Sequence, residues 1–180
     1  MGNRPIGFCD ADYVADESRK SILSYIFMLA GGPISWKVGM AKAISLSSAE
    51  SELRSIDAAF PAIKEAIAII KLFEELGINI VGVEPVRGFP SIINEDNKAC
   101  IEYVKNPVHH SKMKHLEVML YWIRDEVAKG TIDFNWVNTK DQLADIGTKP
   151  YYSAQFIALR DRIMGYSSTV SGGVLEVSNL

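Results

Sequence analysis

The order of apolar and polar residues predicts strands in the first part of the chain and mainly helices after it. Alternation and β-rich composition predict three successive strands over residues 6–12, 22–30 and 34–46. The turn residues Gly31-Gly32-Pro33 separate the second strand from the third, so an antiparallel meander is expected. A break in the third strand is expected at Gly39.

From residue 47 the apolar positions follow the spacing of helices. A long helix is predicted to end at Gly77 and to kink or break briefly at Pro61, because proline cannot donate the backbone hydrogen bond. A capping box at Thr139 predicts the start of a later helix that carries Asp145. The other predicted elements are strands over 90–94 and 132–137 and helices over 97–104, 114–129 and 151–164. This order predicts a mixed α/β sheet with helices on its faces.

Length and composition predict one globular domain over residues 1–166 and a flexible, Ser/Gly/Val-rich C-terminal tail over residues 167–180. No stretch is long and apolar enough to span a membrane, and the N-terminus lacks the apolar centre of a signal peptide. We therefore expect an intracellular protein, cytoplasmic or nuclear, that is not secreted. Cys9 and Cys100 form no paired motif, so they are expected to be buried free thiols.

Four acidic residues occupy positions where a solvated surface acid is not expected. Asp10 continues the apolar face of the first strand, and Asp96 follows the fourth strand at its carboxyl end. Glu52 lies on the buried stripe of the long helix, and Asp145 follows apolar residues in the capped helix. Such acids would repel one another if they converged, unless magnesium or manganese lay between them. The spacing fits equally a strand-end acid, a turn acid and two surface helix acids.

Seven short motifs follow one another along the chain, at residues 8–12, 19–25, 32–37, 46–52, 95–99, 106–117 and 142–150. In sequence and in order they resemble the motifs of the ribonuclease H domain in copia-type retrotransposon Pol polyproteins, a reverse transcriptase/ribonuclease H family. The resemblance covers roughly residues 6–165.

This resemblance implies a ribonuclease H-like fold, with a five-stranded mixed sheet that begins with three antiparallel strands. It also implies that Asp10, Glu52, Asp96 and Asp145 bind two Mg²⁺ (or Mn²⁺) ions and hydrolyse the RNA strand of RNA/DNA hybrids. An upstream reverse transcriptase domain is the further partner implied, with no membrane and no small-molecule cofactor.

The net charge of -3 is unusual for a protein that binds nucleic acid, but basic residues are concentrated between Lys98 and His115. This segment could be a binding patch or a solvated loop, and His115 could simply be a satisfied residue at a helix start. The candidate nucleic-acid contacts are Ser48, Arg54, Asn97, Lys98, His110, Lys112, Lys114 and His115. The three tryptophans are expected in the core.

Two departures from the family pattern lie beside the predicted site. Glu95 stands where the family has cysteine, so an extra acid is expected to perturb the site. Gly147 stands where the family has phenylalanine, which is expected to remove an anchor and weaken the last part of the capped helix. The alternative function is therefore a catalytically decayed ribonuclease H-like module that binds nucleic acid.

Two other readings are disfavoured by the sequence. A nucleotide-binding domain would carry a glycine-rich phosphate loop after a strand, and none is present. An integrase-like nuclease is disfavoured by the closing motif at residues 142–150.

Overall fold

A computed structural model of the chain describes residues 5–13, 20–41, 54–77, 90–106 and 114–166. Within these ranges the chain forms one five-stranded sheet with the strand order β3-β2-β1-β4-β5. The strands are β1 (Ile6–Tyr13), β2 (Ser21–Leu29), β3 (Gly32–Met40), β4 (Ser91–Glu95) and β5 (Ile132–Trp136).

The sheet is mixed, as the sequence predicts. β1 pairs with β2 and β2 with β3 in antiparallel register, while β4 lies parallel to β1 and β5 lies parallel to β4. The first three strands can follow each other closely because antiparallel neighbours need only short turns, whereas the parallel strands need the helical crossovers that precede them. The predicted five-stranded mixed sheet with three antiparallel strands first is confirmed.

Helices cover both faces of the sheet. The helices are α1 (Arg54–Glu75), α2 (Lys98–Lys105), α3 (Lys114–Ala128) and α4 (Ser153–Met164). Helices α1, α2 and α3 contribute to the larger core, which includes Ile56, Ile93 and Ile123. A 3₁₀ turn over Leu143–Gly147 and helix α4 contribute to a smaller core on the other face, around Ile26 and Leu159.

Two local expectations are wrong, and a third is settled only in part. Helix α1 is continuous through Pro61, so the chain does not break there, while a kink at Pro61 stays a prediction. Strand β3 runs through Gly39 without the expected break. Thr139 does not start an α-helix, because Gln142 takes an extended conformation and divides the segment into two 3₁₀ turns. These turns cover Thr139–Asp141 and Leu143–Gly147, with Asn138 and Gln142 as their N-caps.

Among the helices that the structure describes, none combines the length and apolar character needed to cross a membrane. The predicted tail, residues 167–180, lies outside the described ranges. The predicted boundary at residue 166 therefore remains a prediction. Cys9 and Cys100 are buried free thiols, as expected.

Candidate metal and nucleic-acid site

Asp10 is buried on the face of the sheet that the Leu143–Gly147 turn covers. It shares this face with Phe8 because side chains alternate along a strand, and it is only 5% exposed. The parallel register pairs Phe8 with Asn94. Asp10 on β1 and Asp96 after β4 therefore lie at the same end of two neighbouring strands.

Asp145 reaches this position from the Leu143–Gly147 turn and is fully buried. The turn is held against β1 by Gln142, whose Nε2 donates a hydrogen bond to the Cys9 carbonyl at 2.9 Å. The Gln142 Oε1 accepts from the Ala144 N–H at 3.3 Å. Because one buried amide binds both the strand and the turn, Asp145 is set beside Asp10.

Three residues that follow Asp145 bind the two carboxylates. The Thr148 hydroxyl donates to Asp10 Oδ2, and the Tyr151 hydroxyl donates to Asp145 Oδ2 at 2.7 Å. The Lys149 ammonium lies 2.8 Å from Asp145 Oδ1 and 3.8 Å from Asp10 Oδ2. Among the described residues, Asp145 Oδ1 receives no hydrogen bond of good geometry, so the nearby ammonium is its main compensation.

The electrostatics of this pair reflect burial and mutual repulsion. The pKa of Asp10 is raised to about 7, mainly by burial and also by Asp145, while the Thr148 hydrogen bond and the Lys149 charge oppose the rise. Burial would lower the pKa of Lys149, but Asp145 and Asp10 outweigh it and raise that pKa. Burial and the hydrogen bond to Asp145 raise the pKa of Tyr151 to about 12. A bound cation would relieve the repulsion between the two acids.

Asp96 is half-buried and makes different contacts from the acid pair. Its Oδ2 accepts a hydrogen bond from the Thr139 hydroxyl at 2.7 Å, and its carbonyl accepts from Trp136 Nε1 at 3.0 Å. Within the ranges that the structure describes, no three acidic, histidine or cysteine side chains form a ready cation cage. Asp10 and Asp145 are thus brought together and Asp96 lies at the same sheet end, while Glu52 falls outside the described residues.

Glu95 does not join the acid pair. Its fully buried carboxyl lies on the α1 side of the sheet, where Cys9 Sγ donates to Oε2 at 3.3 Å and the Asn97 N–H donates to Oε1 at 3.0 Å. Burial raises the pKa of Glu95 to about 8. The alternation of side chains along β4 therefore turns this extra acid away from the face that carries Asp10.

Gly147 is not a weak point in a helix. It ends the Leu143–Gly147 turn and packs closely on β2 and β3, where a Cβ atom would lie 2.5 Å from Ser24 Oγ and 2.7 Å from Val38 Cγ2. The expectation that this glycine removes an anchor is wrong, because the backbone itself occupies the space next to the sheet.

Asn97 and Lys98 are the predicted nucleic-acid contacts whose side chains the structure describes. Asn97 caps α2 by accepting from the Cys100 N–H at 3.2 Å, and its Nδ2 donates to Ser55 Oγ at 3.2 Å. Lys98 is exposed, and its ammonium lies 4.4 Å from the centre of the Trp136 ring. The structure does not describe residues Ser48, His110 and Lys112, or the side chains of Arg54, Lys114 and His115.

The core prediction is wrong for two of the three tryptophans. Trp36 is 66% exposed on the edge strand β3, and Trp136 is 45% exposed beside Asp96. Trp122 does pack against the larger core, where it meets Phe60 edge-on at 5.0 Å. An edge strand has no neighbouring strand on one side, and its faces are incompletely covered. The alternation of apolar and polar residues does not show which strand lies at the edge.

Sequence reasoning did not assign a role to the residues that surround the acid pair. The closing motif could have indicated two of them. Thr148 and Lys149 lie three and four residues after Asp145, and side chains at this spacing are neighbours on a helical segment. The residues without a predicted role in the site are Gln142, Thr148, Lys149 and Tyr151.

Comparisons with known proteins identify relatives among retrotransposon polyproteins, although no family model matches. The chain is 34% identical over 172 residues to the Pol polyprotein from transposon RE2 of Arabidopsis thaliana, which covers 94% of this chain and 11% of the relative. It is 32% identical over 151 residues to that from transposon TNT 1-94 of Nicotiana tabacum, covering 82% of this chain and 10% of the relative. The chain thus spans about a tenth of the length of these relatives.

Solved ribonuclease H1 structures share the fold. LC11-RNase H1 from compost superimposes with a TM-score of 0.56 at 11% identity, over 81% of this chain and 93% of that one. RNase H1 from Halobacterium salinarum has a TM-score of 0.51 at 11% identity, over 81% and 94%. The chain is therefore a homologue of one region of the copia-type retrotransposon Pol polyproteins, and it has the ribonuclease H fold.

Proposed function

We propose that the chain hydrolyses the RNA strand of RNA/DNA hybrids. The observation that carries this proposal is the buried pair Asp10 and Asp145 at one end of a ribonuclease H-like sheet. Two adjacent buried carboxylates repel each other, and a bound cation would relieve that repulsion. LC11-RNase H1 was also solved in complex with an RNA/DNA hybrid, with a TM-score of 0.51 to this chain, which supports this substrate class.

The donor atoms of the site fit Mg²⁺ or Mn²⁺, because these hard cations prefer carboxylate oxygens. Asp145 Oδ1 is buried without a hydrogen bond of good geometry and is thus a suitable ligand atom. Asp10, Asp96 and Asp145 would hold two ions, together with Glu52 from the segment before α1. Two such ions, when bound, lower the pKa of the attacking water and neutralise charge on the departing 3′ oxygen.

The residues of the chain hold these carboxylates and orient the hybrid. Gln142 and Tyr151 fix Asp145, and the Thr148 hydroxyl fixes Asp10. The exposed Lys98 ammonium, which lies over the Trp136 ring near Asp96, is the candidate to contact a phosphate of the hybrid, since phosphate contacts set the position of a nucleic acid. Selection of RNA requires contacts to 2′-hydroxyl groups near the site, for which Ser48 and Asn97 are the candidates.

The direct test is cleavage of an end-labelled RNA/DNA hybrid in Mg²⁺, with single-stranded RNA and duplex DNA as substrate controls. The expected result is cutting of the RNA strand of the hybrid alone. Asp10→Asn and Asp145→Asn should each remove cutting, whereas Asp125→Asn should not, because Asp125 is on α3 and forms an exposed pair with Lys129.

Two results would refute the proposal in different ways. Cutting retained by the folded Asp10→Asn variant would remove Asp10 from the site. Binding of the hybrid without cutting by the parent chain would favour the alternative, a decayed module that binds nucleic acid. Because the relatives are polyproteins, an upstream reverse transcriptase domain is part of this proposal, and a fusion that includes that region would test it.

A further inference from the structure

Lys149 places a positive charge directly on the acid pair. Its ammonium is 2.8 Å from Asp145 Oδ1 and 3.8 Å from Asp10 Oδ2, and it thus contacts both carboxylates. The backbone fixes this approach, because the Lys149 N–H donates to the Asp145 carbonyl at 3.0 Å and brings the lysine one turn after the acid. A compact cation is therefore already present where a divalent ion would bind.

The exposure of the three side chains differs in a way that bears on their roles. The Asp145 and Asp10 side chains are 1% and 7% exposed, whereas the Lys149 side chain is 28% exposed. The acids are therefore fixed, while the lysine reaches them from the solvent side on a flexible four-carbon stem. The ammonium could leave without unpacking the acids, because Tyr151 holds the other oxygen of Asp145 and the Thr148 hydroxyl holds Asp10 Oδ2.

We propose that Lys149 is a resident counter-ion, which stabilises the acid pair without metal and competes with divalent cations for it. This inference rests on the metal site of the proposed function. A cation that enters must displace the ammonium from Asp145 Oδ1, since the two would occupy the same side of that carboxylate. The lysine thus stabilises the metal-free fold and weakens cation binding.

The test is cation binding by the whole chain without nucleic acid, measured by calorimetric titration with Mn²⁺ at pH 8.5. Lys149→Met keeps the aliphatic stem and removes the charge. We expect its dissociation constant for Mn²⁺ to fall by up to about fivefold, as loss of one competing charge near the surface implies. Its melting temperature in EDTA should fall at the same time, because the acid pair loses its counter-ion.

Two further variants separate charge from packing. Lys149→Arg keeps the charge and should bind Mn²⁺ with an affinity close to that of the parent, which also covers the case in which Lys149→Met folds poorly. Lys140→Met removes an exposed lysine from the neighbouring Thr139–Asp141 turn and should change neither quantity.

The outcomes distinguish this inference from the proposed function. A lower melting temperature in EDTA with unchanged or weaker Mn²⁺ binding would make Lys149 a structural partner only and would overturn the competition. Absence of Mn²⁺ binding in parent and variants alike would also overturn it. Tighter Mn²⁺ binding by Lys149→Met, with no cutting of the hybrid by any variant, would support the counter-ion and refute the nuclease.

Discussion

Replacing Gly147 by alanine would push the Leu143–Gly147 turn away from the sheet. The added Cβ atom would lie 2.5 Å from Ser24 Oγ, 2.7 Å from Val38 Cγ2 and 3.0 Å from Ser24 Cβ. All three distances are at or below the closest approach that real Cβ atoms make, and Ser24 is buried on a central region of the sheet. The neighbours must therefore move, or the turn must.

The expected cost is that of an overpacked core, about 1 to 3 kcal/mol. For a chain of this size, each kcal/mol lowers the melting temperature by about 2 to 4 °C, so a fall of roughly 2 to 12 °C is expected. The displacement also reaches the site. Ser24 pairs with Asp10 across β1 and β2, and Asp145 precedes Gly147 by two residues. Mn²⁺ binding should therefore weaken together with stability.

The assays are chemical denaturation in EDTA and calorimetric titration with Mn²⁺. Gly39→Ala is the matched control, because a Cβ atom at Gly39 meets nothing within 4 Å and should change stability by less than about 1 kcal/mol. Ser24→Ala removes the nearest clashing atom, so the double variant should recover part of the loss. Wild-type stability and Mn²⁺ affinity in Gly147→Ala would show that the turn does not depend on this close packing.

Two other predictions concern the buried acid on the opposite face and the exposed tryptophan. The pKa of Glu95 is raised from 4.5 to about 8 in the folded chain, so its contribution to stability is complete below pH 4.5 and is lost as the pH rises through 8. In denaturation measured in EDTA over a series of pH values, Glu95→Gln should remove up to roughly 5 kcal/mol of the pH dependence of the unfolding free energy. Glu102→Gln, at an exposed position, should keep the pH dependence of the parent. The same pH dependence in Glu95→Gln and the parent would contradict the burial of Glu95. Trp36→Ala should lower the free energy of unfolding by less than about 1 kcal/mol, because Trp36 is mostly exposed. Trp122→Ala should cost about 3 kcal/mol, since it packs on the core, and equal losses in both variants would contradict the described burial.

The sequence by itself determined the order of the five strands and the main helices, and the face of Asp10. Periodicity alone separates three early strands from later helices, because side chains repeat every two residues in strands and every 3.6 in helices. The same alternation put Asp10 on an apolar face, and the structure confirms its burial. The ordered motifs predicted the ribonuclease H fold, which the comparisons confirm.

The tertiary structure decided which acids meet and what surrounds them. Gln142 belongs to the capping box predicted at Thr139, but in the structure its amide joins a turn to β1 across 133 residues of sequence. Glu95 and Asp96 are adjacent in sequence, yet the Glu95 side chain faces the α1 side of the sheet. The sheet therefore separates Glu95 from the pair Asp10 and Asp145. Trp36 follows a core-like alternation and is exposed because its strand is at the sheet edge. Periodicity shows which residues share a face, whereas only the packing of distant segments decides whether that face is covered and which charges lie across from it.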